Sequence, residues 1–343
     1  MPRANIQFEF DAKPEPGTAM PIADGVHWLR MPLPFALDHI NLWLFADGDG
    51  WAIVDTGVGT DKSKEIWRRV FDETMLGRPA NHIIVTHLHP DHVGCAGWLA
   101  EHFDVDLWMT RDEYLLCRIL VADTGKPAPE EGVDFYRAAG FPDDAIAHYR
   151  EIFGFFGRYV SPLPEAYKRL YDGLKGPIGD HEWEVVVGRG HSPEHACFFS
   201  GELNLLVAGD QVLPSISANV SVYPTEPEAN PLKDWIDSLT AMKDRIPADV
   251  LVLPAHGKPF RGAHERIDHL VGEHRVRLDA LHDYLDEPRR AVDVFPALYR
   301  AKISGDNLIM ATGEAIAHLH YLLADDVITA EADADGVIWY RRA

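Results

Sequence analysis

Five apolar, strand-like runs in this chain each stop at a turn that carries Asp or His, and few folds accommodate that repetition. The runs cover residues 51–54 before Asp55, 83–85 before His87 and its neighbours, 183–187 before His191, 205–208 before Asp210, and 250–253 before His256. Strand ends that gather at one edge of a sheet or sandwich are how a fold builds a site. One such coincidence carries little weight; five in a single chain predict convergence.

The densest of them is HIIVTHLHPDH, residues 82–92, which packs His87, His89, Asp91 and His92 into six positions. Residues two apart on an extended or tightly turned backbone point the same way, so His87 and His89 can approach one ion as a pair. Asp91 and His92 follow Pro90, which fixes φ and bends the chain, so they are aimed differently and suit a second ion beside the first. Imidazole and carboxylate together select zinc, iron or manganese over calcium or magnesium. A polar turn rich in surface histidines is the plainer alternative, and for a lone histidine it would be preferred.

Around these runs the chain reads as mixed α/β. Residues 1–20 are polar and proline-bearing, an expected irregular lead-in. Strand patterns at 25–31 and 39–45 precede a Gly48-Asp49-Gly50 turn. Residues 61–75 put Ile66, Val70 and Phe71 on one helical face, residues 92–102 read as the helix after the histidine turn, and a further helix is expected at 232–245. From 111 to 172, aromatic and apolar residues sit at mostly helical spacing, which predicts a helical insertion. Its aromatics serve either as ordinary core or as a lid that shapes a substrate pocket. Helices at 263–286 and 307–324 and a hairpin about the Asp333-Ala334-Asp335-Gly336 turn resemble a winged-helix module. A catalytic domain at 1–262 and a C-terminal domain at 263–343 follow. The histidines of that tail (His264, His269, His274, His282, His318, His320) lack the strand-end context and read as surface or core residues.

With 343 residues and an apolar fraction of 46%, the chain can bury a core without staples. A formal net charge of −22 repels phosphate backbones, so nucleic acid is a disfavoured partner. Cys95, Cys117 and Cys197 have no paired spacing and suggest neither a disulfide framework nor a thiolate zinc site. No run of about 18 apolar residues occurs, and the opening residues lack the apolar core of a signal peptide. A cytoplasmic protein with no membrane partner is the expectation.

The chain resembles the metallo-β-lactamase-fold hydrolases, whose T-H-x-H-x-D-H hallmark stands at Thr86 to His92. The resemblance continues in order through Asp55-Thr56-Gly57, Gly190-His191, Gly209-Asp210 and Ala255-His256-Gly257, and spans about residues 20–260. It implies a four-layer αββα sandwich with two divalent metal ions at its edge, zinc first and iron or manganese as alternatives. By the resemblance, His87, His89 and His191 hold one ion, Asp91, His92 and His256 hold the other, and Asp210 bridges them. Asp55 and His195 would orient these ligands by hydrogen bonds. The reaction implied is hydrolysis by a hydroxide held between the ions, with Asp91 or Asp210 accepting a proton and no Ser or Cys nucleophile required.

The expected substrate is a small acyl molecule carrying a carboxylic ester-type bond, an acyl thioester or a lactone, with the enzyme acting alone or as a homo-oligomer. Lactonases of this fold usually follow the bridging Asp closely with Tyr, whereas Gln211-Val212-Leu213-Pro214 follows here; the glutathione thioesterases usually carry a basic C-terminal patch, and this tail is mostly acidic. Three alternatives stand beside this reading: a phosphodiesterase or ribonuclease of the same fold, which the net charge disfavours; a di-iron redox protein; and a non-catalytic scaffold, which intact ligands disfavour.

Overall fold

The computed structural model describes residues 4–35, 37–303, 305 and 307–343, so residues 1–3 of the expected lead-in lie outside the described residues. In chain order the strands are β1 (Gln7–Phe8), β2 (Ala19–Ala23), β3 (Val26–Pro32), β4 (His39–Asp47), β5 (Gly50–Val54), β6 (Ala80–Ile84), β7 (Leu107–Thr110), β8 (Lys168–Leu170), β9 (Lys175–Ile178), β10 (His181–Gly188), β11 (His195–Ser200), β12 (Leu205–Gly209), β13 (Leu251–Pro254), β14 (Phe260–Arg261), β15 (Ile328–Ala332) and β16 (Ile338–Arg342). The α-helices are α1 (Asp61–Glu73), α2 (Pro90–Val93), α3 (Ala96–Phe103), α4 (Arg111–Ala122), α5 (Glu130–Ala138), α6 (Asp143–Ile152), α7 (Pro231–Lys243), α8 (Ala263–Tyr284), α9 (Phe295–Leu298) and α10 (Asn307–Ala324).

Two seven-stranded sheets form, one ordered β2-β3-β4-β5-β6-β7-β8 and the other β1-β14-β13-β12-β11-β10-β9, with β15-β16 a separate hairpin. Side chains alternate across each strand, and here both faces are buried. Trp28, Trp43 and Phe45 of the first sheet meet Trp183, Phe198 and Val207 of the second. The opposite faces of the same strands, with Leu29, Leu42 and Leu44, pack under α1, α3 and α4, while Val186, Cys197 and Leu206 of the second sheet pack under α7, α8 and α10. The result is the expected αββα sandwich.

Placement of the strand ends follows from parallel pairing. β5, β6 and β7 run parallel, as do β12 and β13, so the residues after β5, β6, β12 and β13 emerge at like ends of their sheets. Thr86 O accepts a hydrogen bond from the Ala196 N–H at 2.8 Å and thereby joins the two sheets at that edge.

Several sequence expectations change. The lead-in contains β1 and the start of β2, because edge strands this short need only their partners' ladders to form. The helix expected over 92–102 is broken at Gly94-Cys95: the Cys95 N–H donates to Gly57 O at 3.0 Å, and Gly94 O accepts from the Ser161 N–H at 2.7 Å. A Cβ at Gly94 would stand 2.3 Å from the Gly59 nitrogen, so only glycine allows this approach. The segment expected to be helical to 172 ends in β8, which extends the first sheet beside β7. Within it, Tyr136, Phe141 and Tyr149 bury against one another, with Val292, Leu308 and Ile309 of the C-terminal module beside them. These aromatics serve as a small core that ties α5 and α6 to the C-terminal module. No described helix is long and apolar enough to cross a membrane.

Candidate metal centre

Two groups of donors face each other at the sandwich edge: His87, His89, His191 and Asp210 in one, and Asp91, His92 and His256 in the other, the donor atoms within each lying within 4.8 Å of one another. His87 Nε2 is 2.9 Å from His89 Nδ1 and 3.3 Å from His191 Nε2. Asp210 spans the groups, with Oδ2 at 3.4 Å from His191 Nε2 and 3.6 Å from His92 Nε2, and Oδ1 at 3.5 Å from His256 Nε2. Asp91 Oδ2 lies 3.4 Å from His256 Nε2.

The surrounding hydrogen bonds decide which ring nitrogen of each imidazole is left free. His92 Nδ1–H donates to Asp55 Oδ2 at 2.8 Å, His191 Nδ1–H to Asn219 O at 2.7 Å, and His256 Nδ1–H to His39 O at 2.8 Å. Each donation turns a lone pair at Nε2 toward the centre, the arrangement metal ligation requires. Asp55 also accepts from the Thr86 N–H at 2.8 Å and from the Thr86 hydroxyl. It does so with φ at +61°, a left-handed conformation that Asp tolerates better than most residues. The helix α1 braces this turn, since Trp67 Nε1–H donates to Thr56 O at 2.8 Å.

His195 Nε2 accepts from the Asp210 N–H at 3.1 Å, so that nitrogen orients the shared carboxylate, and its ring stacks on His87 at 4.6 Å. Burial, reinforced by the neighbouring imidazoles, drives His87 and His195 well below the usual histidine range, and burial with His191 beside it brings His89 down to about 3. His92 shows the opposite balance: burial opposes its charge, but Asp55, Asp91 and Asp210 outweigh that and raise it well above the usual value.

A bound cation fits these residues. Three imidazole nitrogens crowd within 3.3 Å steps, where neutral lone pairs repel. His92 Nε2 and Asp210 Oδ1 are buried and have no hydrogen-bond partner among the described residues, a costly state that ligation relieves. Nitrogen-rich, carboxylate-bridged donor sets of this type take zinc, iron or manganese.

Four supporting residues escaped the sequence reading. Asn219 anchors His191 through its carbonyl and reaches Glu314 of α10 with its side chain at 3.2 Å. His39 holds His256. Buried Asn41 donates to Pro254 O and Gly257 O, each at 2.8 Å, and so grips the turn on both sides of His256. Glu113 is fully buried and hydrogen-bonds near both histidine segments. Of these only Asn41 left a trace, as a polar residue inside an apolar strand.

Comparisons with known proteins agree with this fold. Over 98% of both chains, the structure superposes on a beta-lactamase domain protein from Burkholderia ambifaria with a TM-score of 0.91 and 39% identity. A metallo-beta-lactamase family protein from Thermus thermophilus matches with a TM-score of 0.76 and 27% identity, over 93% of this chain and 99% of that one. The probable metallo-hydrolase YflN of Bacillus subtilis is 28% identical over 193 residues, 54% of this chain and 67% of that protein. Residues 278–343 match the metallo-beta-lactamase-like C-terminal domain. Residues 36–281, which include all seven candidate ligands, match the metallo-beta-lactamase superfamily, and the chain belongs to that family.

Proposed function

We propose that this chain is a dinuclear metal-dependent hydrolase of carboxylic ester-type bonds, acting on an acyl thioester or a lactone, with zinc as the resident ion. The observation that carries the reading is the pair of donor groups joined by Asp210. Two divalent ions held there would supply Lewis acidity toward a carbonyl oxygen and make a water acidic near neutral pH. The chain's own residues do the rest. Asp55, Asn219 and His39 fix the imidazole tautomers. Asp91, with a side chain 18% exposed against 11% for Asp210, is the more open carboxylate and accepts the proton released by the attacking water.

The substrate class rests on what borders His191. Ser221, two residues beyond the Asn219 anchor, donates to Met310 O at 3.2 Å, so this segment is tied to α10, on which the Met310 side chain is exposed. Exposed Ile216 and Tyr223 lie on the same segment as Asn219. Exposed apolar side chains on the segments that anchor His191, in a chain of net charge −22, suit an acyl group better than a polyphosphate. Buried free thiols at Cys95, Cys117 and Cys197, pushed up by burial to about 12 or beyond, leave nucleophilic attack to water and support a reducing, cytoplasmic setting. The test is turnover of acyl thioesters and acyl lactones by zinc-loaded protein, with His87→Ala as control. Hydrolysis of one class, abolished in the variant, is expected; turnover of neither overturns the reading.

A further inference from the structure

Glu113 has no part in the proposed reaction, yet it touches both chain segments that supply the three-histidine group. It lies in the first turn of α4, and its side chain is wholly buried. Oε2 accepts from the Leu88 N–H at 2.9 Å, and Leu88 sits between His87 and His89. Oε1 accepts from the Ser192 hydroxyl at 2.6 Å and from the Glu194 N–H at 2.8 Å, and Ser192 follows His191. Among the described residues no Lys or Arg pairs with this carboxylate, so it is a buried acid held only by dipoles. Such a group costs several kcal/mol unless positive charge lies nearby. Its surroundings are further tied down, with the Thr110 hydroxyl donating to Glu194 O at 2.8 Å and the Asp112 N–H to Glu194 Oε2 at 3.2 Å.

We propose that Glu113 is a positioning residue for one of the two ions: a single carboxylate locks the His87–His89 turn to the His191 turn. The three imidazoles are thereby set before an ion arrives. The inference rests on the dinuclear reading of the centre. Because Glu113 contacts neither the Asp91–His92 segment beyond Leu88 nor the His256 turn, its effect is selective. Its loss weakens the ion at His87, His89 and His191 and spares the ion at Asp91, His92 and His256.

The test measures Zn²⁺ affinity by chelator competition on the full chain, in two backgrounds that each retain one position. His256→Ala keeps the three-histidine position, and His191→Ala keeps the other. In Glu113→Gln the amide keeps one acceptor but turns an NH₂ group toward a backbone N–H. Outer contacts of this kind typically change metal affinity about 10- to 100-fold. A drop of that size is expected with His256→Ala, against less than about threefold with His191→Ala. Equal loss at both positions, or loss at neither, overturns the proposal. If Glu113→Gln does not fold, Ser192→Ala decides: it removes one of three contacts and should give the same selectivity at smaller amplitude, and its absence overturns the proposal. Wild-type protein that binds no Zn²⁺ overturns the dinuclear reading itself, a result distinct from unselective loss.

Discussion

Replacing Asp55 with Asn tests whether the turn after β5 is a device for setting His92. Asp55 accepts from His92 Nδ1–H at 2.8 Å, from the Thr86 N–H at 2.8 Å, and from the Thr86 hydroxyl at 3.0 and 2.9 Å on its two oxygens, all in a buried site. All three partners donate, so every one of these bonds uses an oxygen lone pair. Asn offers one oxygen and one NH₂, so at least one donor must face another donor. A buried donor left unpaired costs about 1–3 kcal/mol, and the contact to His92 is the charge-assisted one, worth about 1.5–3 kcal/mol. Asn shares Asp's tolerance of a positive φ, so the backbone at +61° contributes little to the difference. The expected loss is therefore about 2.5–6 kcal/mol. It divides between folding stability, read by urea unfolding of metal-free protein, and Zn²⁺ binding, read by chelator competition. If the reasoning holds, the metal-free variant is destabilised by about 1–3 kcal/mol, and the ion held with His92 weakens a further 10- to 100-fold. Unchanged metal-free stability together with unchanged affinity at both positions would refute the claim that Asp55 sets the His92 tautomer.

Asn41→Leu should destabilise the fold by about 3–5 kcal/mol, because it strands Pro254 O, Gly257 O and the Trp28 indole N–H, which donates to Asn41 Oδ1 at 2.8 Å; denaturant unfolding gives the value. Removing the ions with a chelator should lower Tm, since a ligand at a hundredfold excess over its Kd stabilises by about 2.7 kcal/mol per site, and adding Zn²⁺ back should restore it. Acid should loosen the packing of the C-terminal module: His318 faces His274 at 3.2 Å between α10 and α8, and burial lowers His318 to about 4 and His274 well below the usual histidine range. The unfolded chain then binds more protons than the folded one below about pH 6.5, so stability falls from there toward pH 4, by up to about 3 kcal/mol for His318 alone. His318→Gln should flatten that limb of the pH–stability curve, and an unaltered limb would show that the pair is not its source.

The contrast between His256 and Glu113 explains how far sequence alone could reach. His256 was legible because it follows an apolar run at a strand end, and strand-end placement is a local pattern that parallel pairing converts into proximity. The same logic located Asp55, His191 and Asp210 without any knowledge of which strands were neighbours. Glu113 and Asn219 could not be found that way. Glu113 lies in a helix among Asp112, Tyr114 and Arg111, where a carboxylate normally marks a solvated first turn. Its burial depends on α4 meeting the loops at 88 and 192–194, contacts 25, 79 and 81 residues away in sequence. Asn219 acts through its backbone carbonyl, a group every residue has, so its side chain announced nothing about His191. The aromatics of 111–172, open in the sequence to a core or a lid role, show a further limit: helical spacing shows that a face is apolar but not what covers it, and for Tyr136, Phe141 and Tyr149 Val292 and Leu308 do. Ligands are thus written into local pattern because metal chemistry restricts residue type, whereas the groups that aim them are selected by tertiary geometry, and almost any residue with a carbonyl or carboxylate can serve. That asymmetry is why selective loss at one ion on altering Glu113 is informative: local sequence supplies no competing reason to expect it.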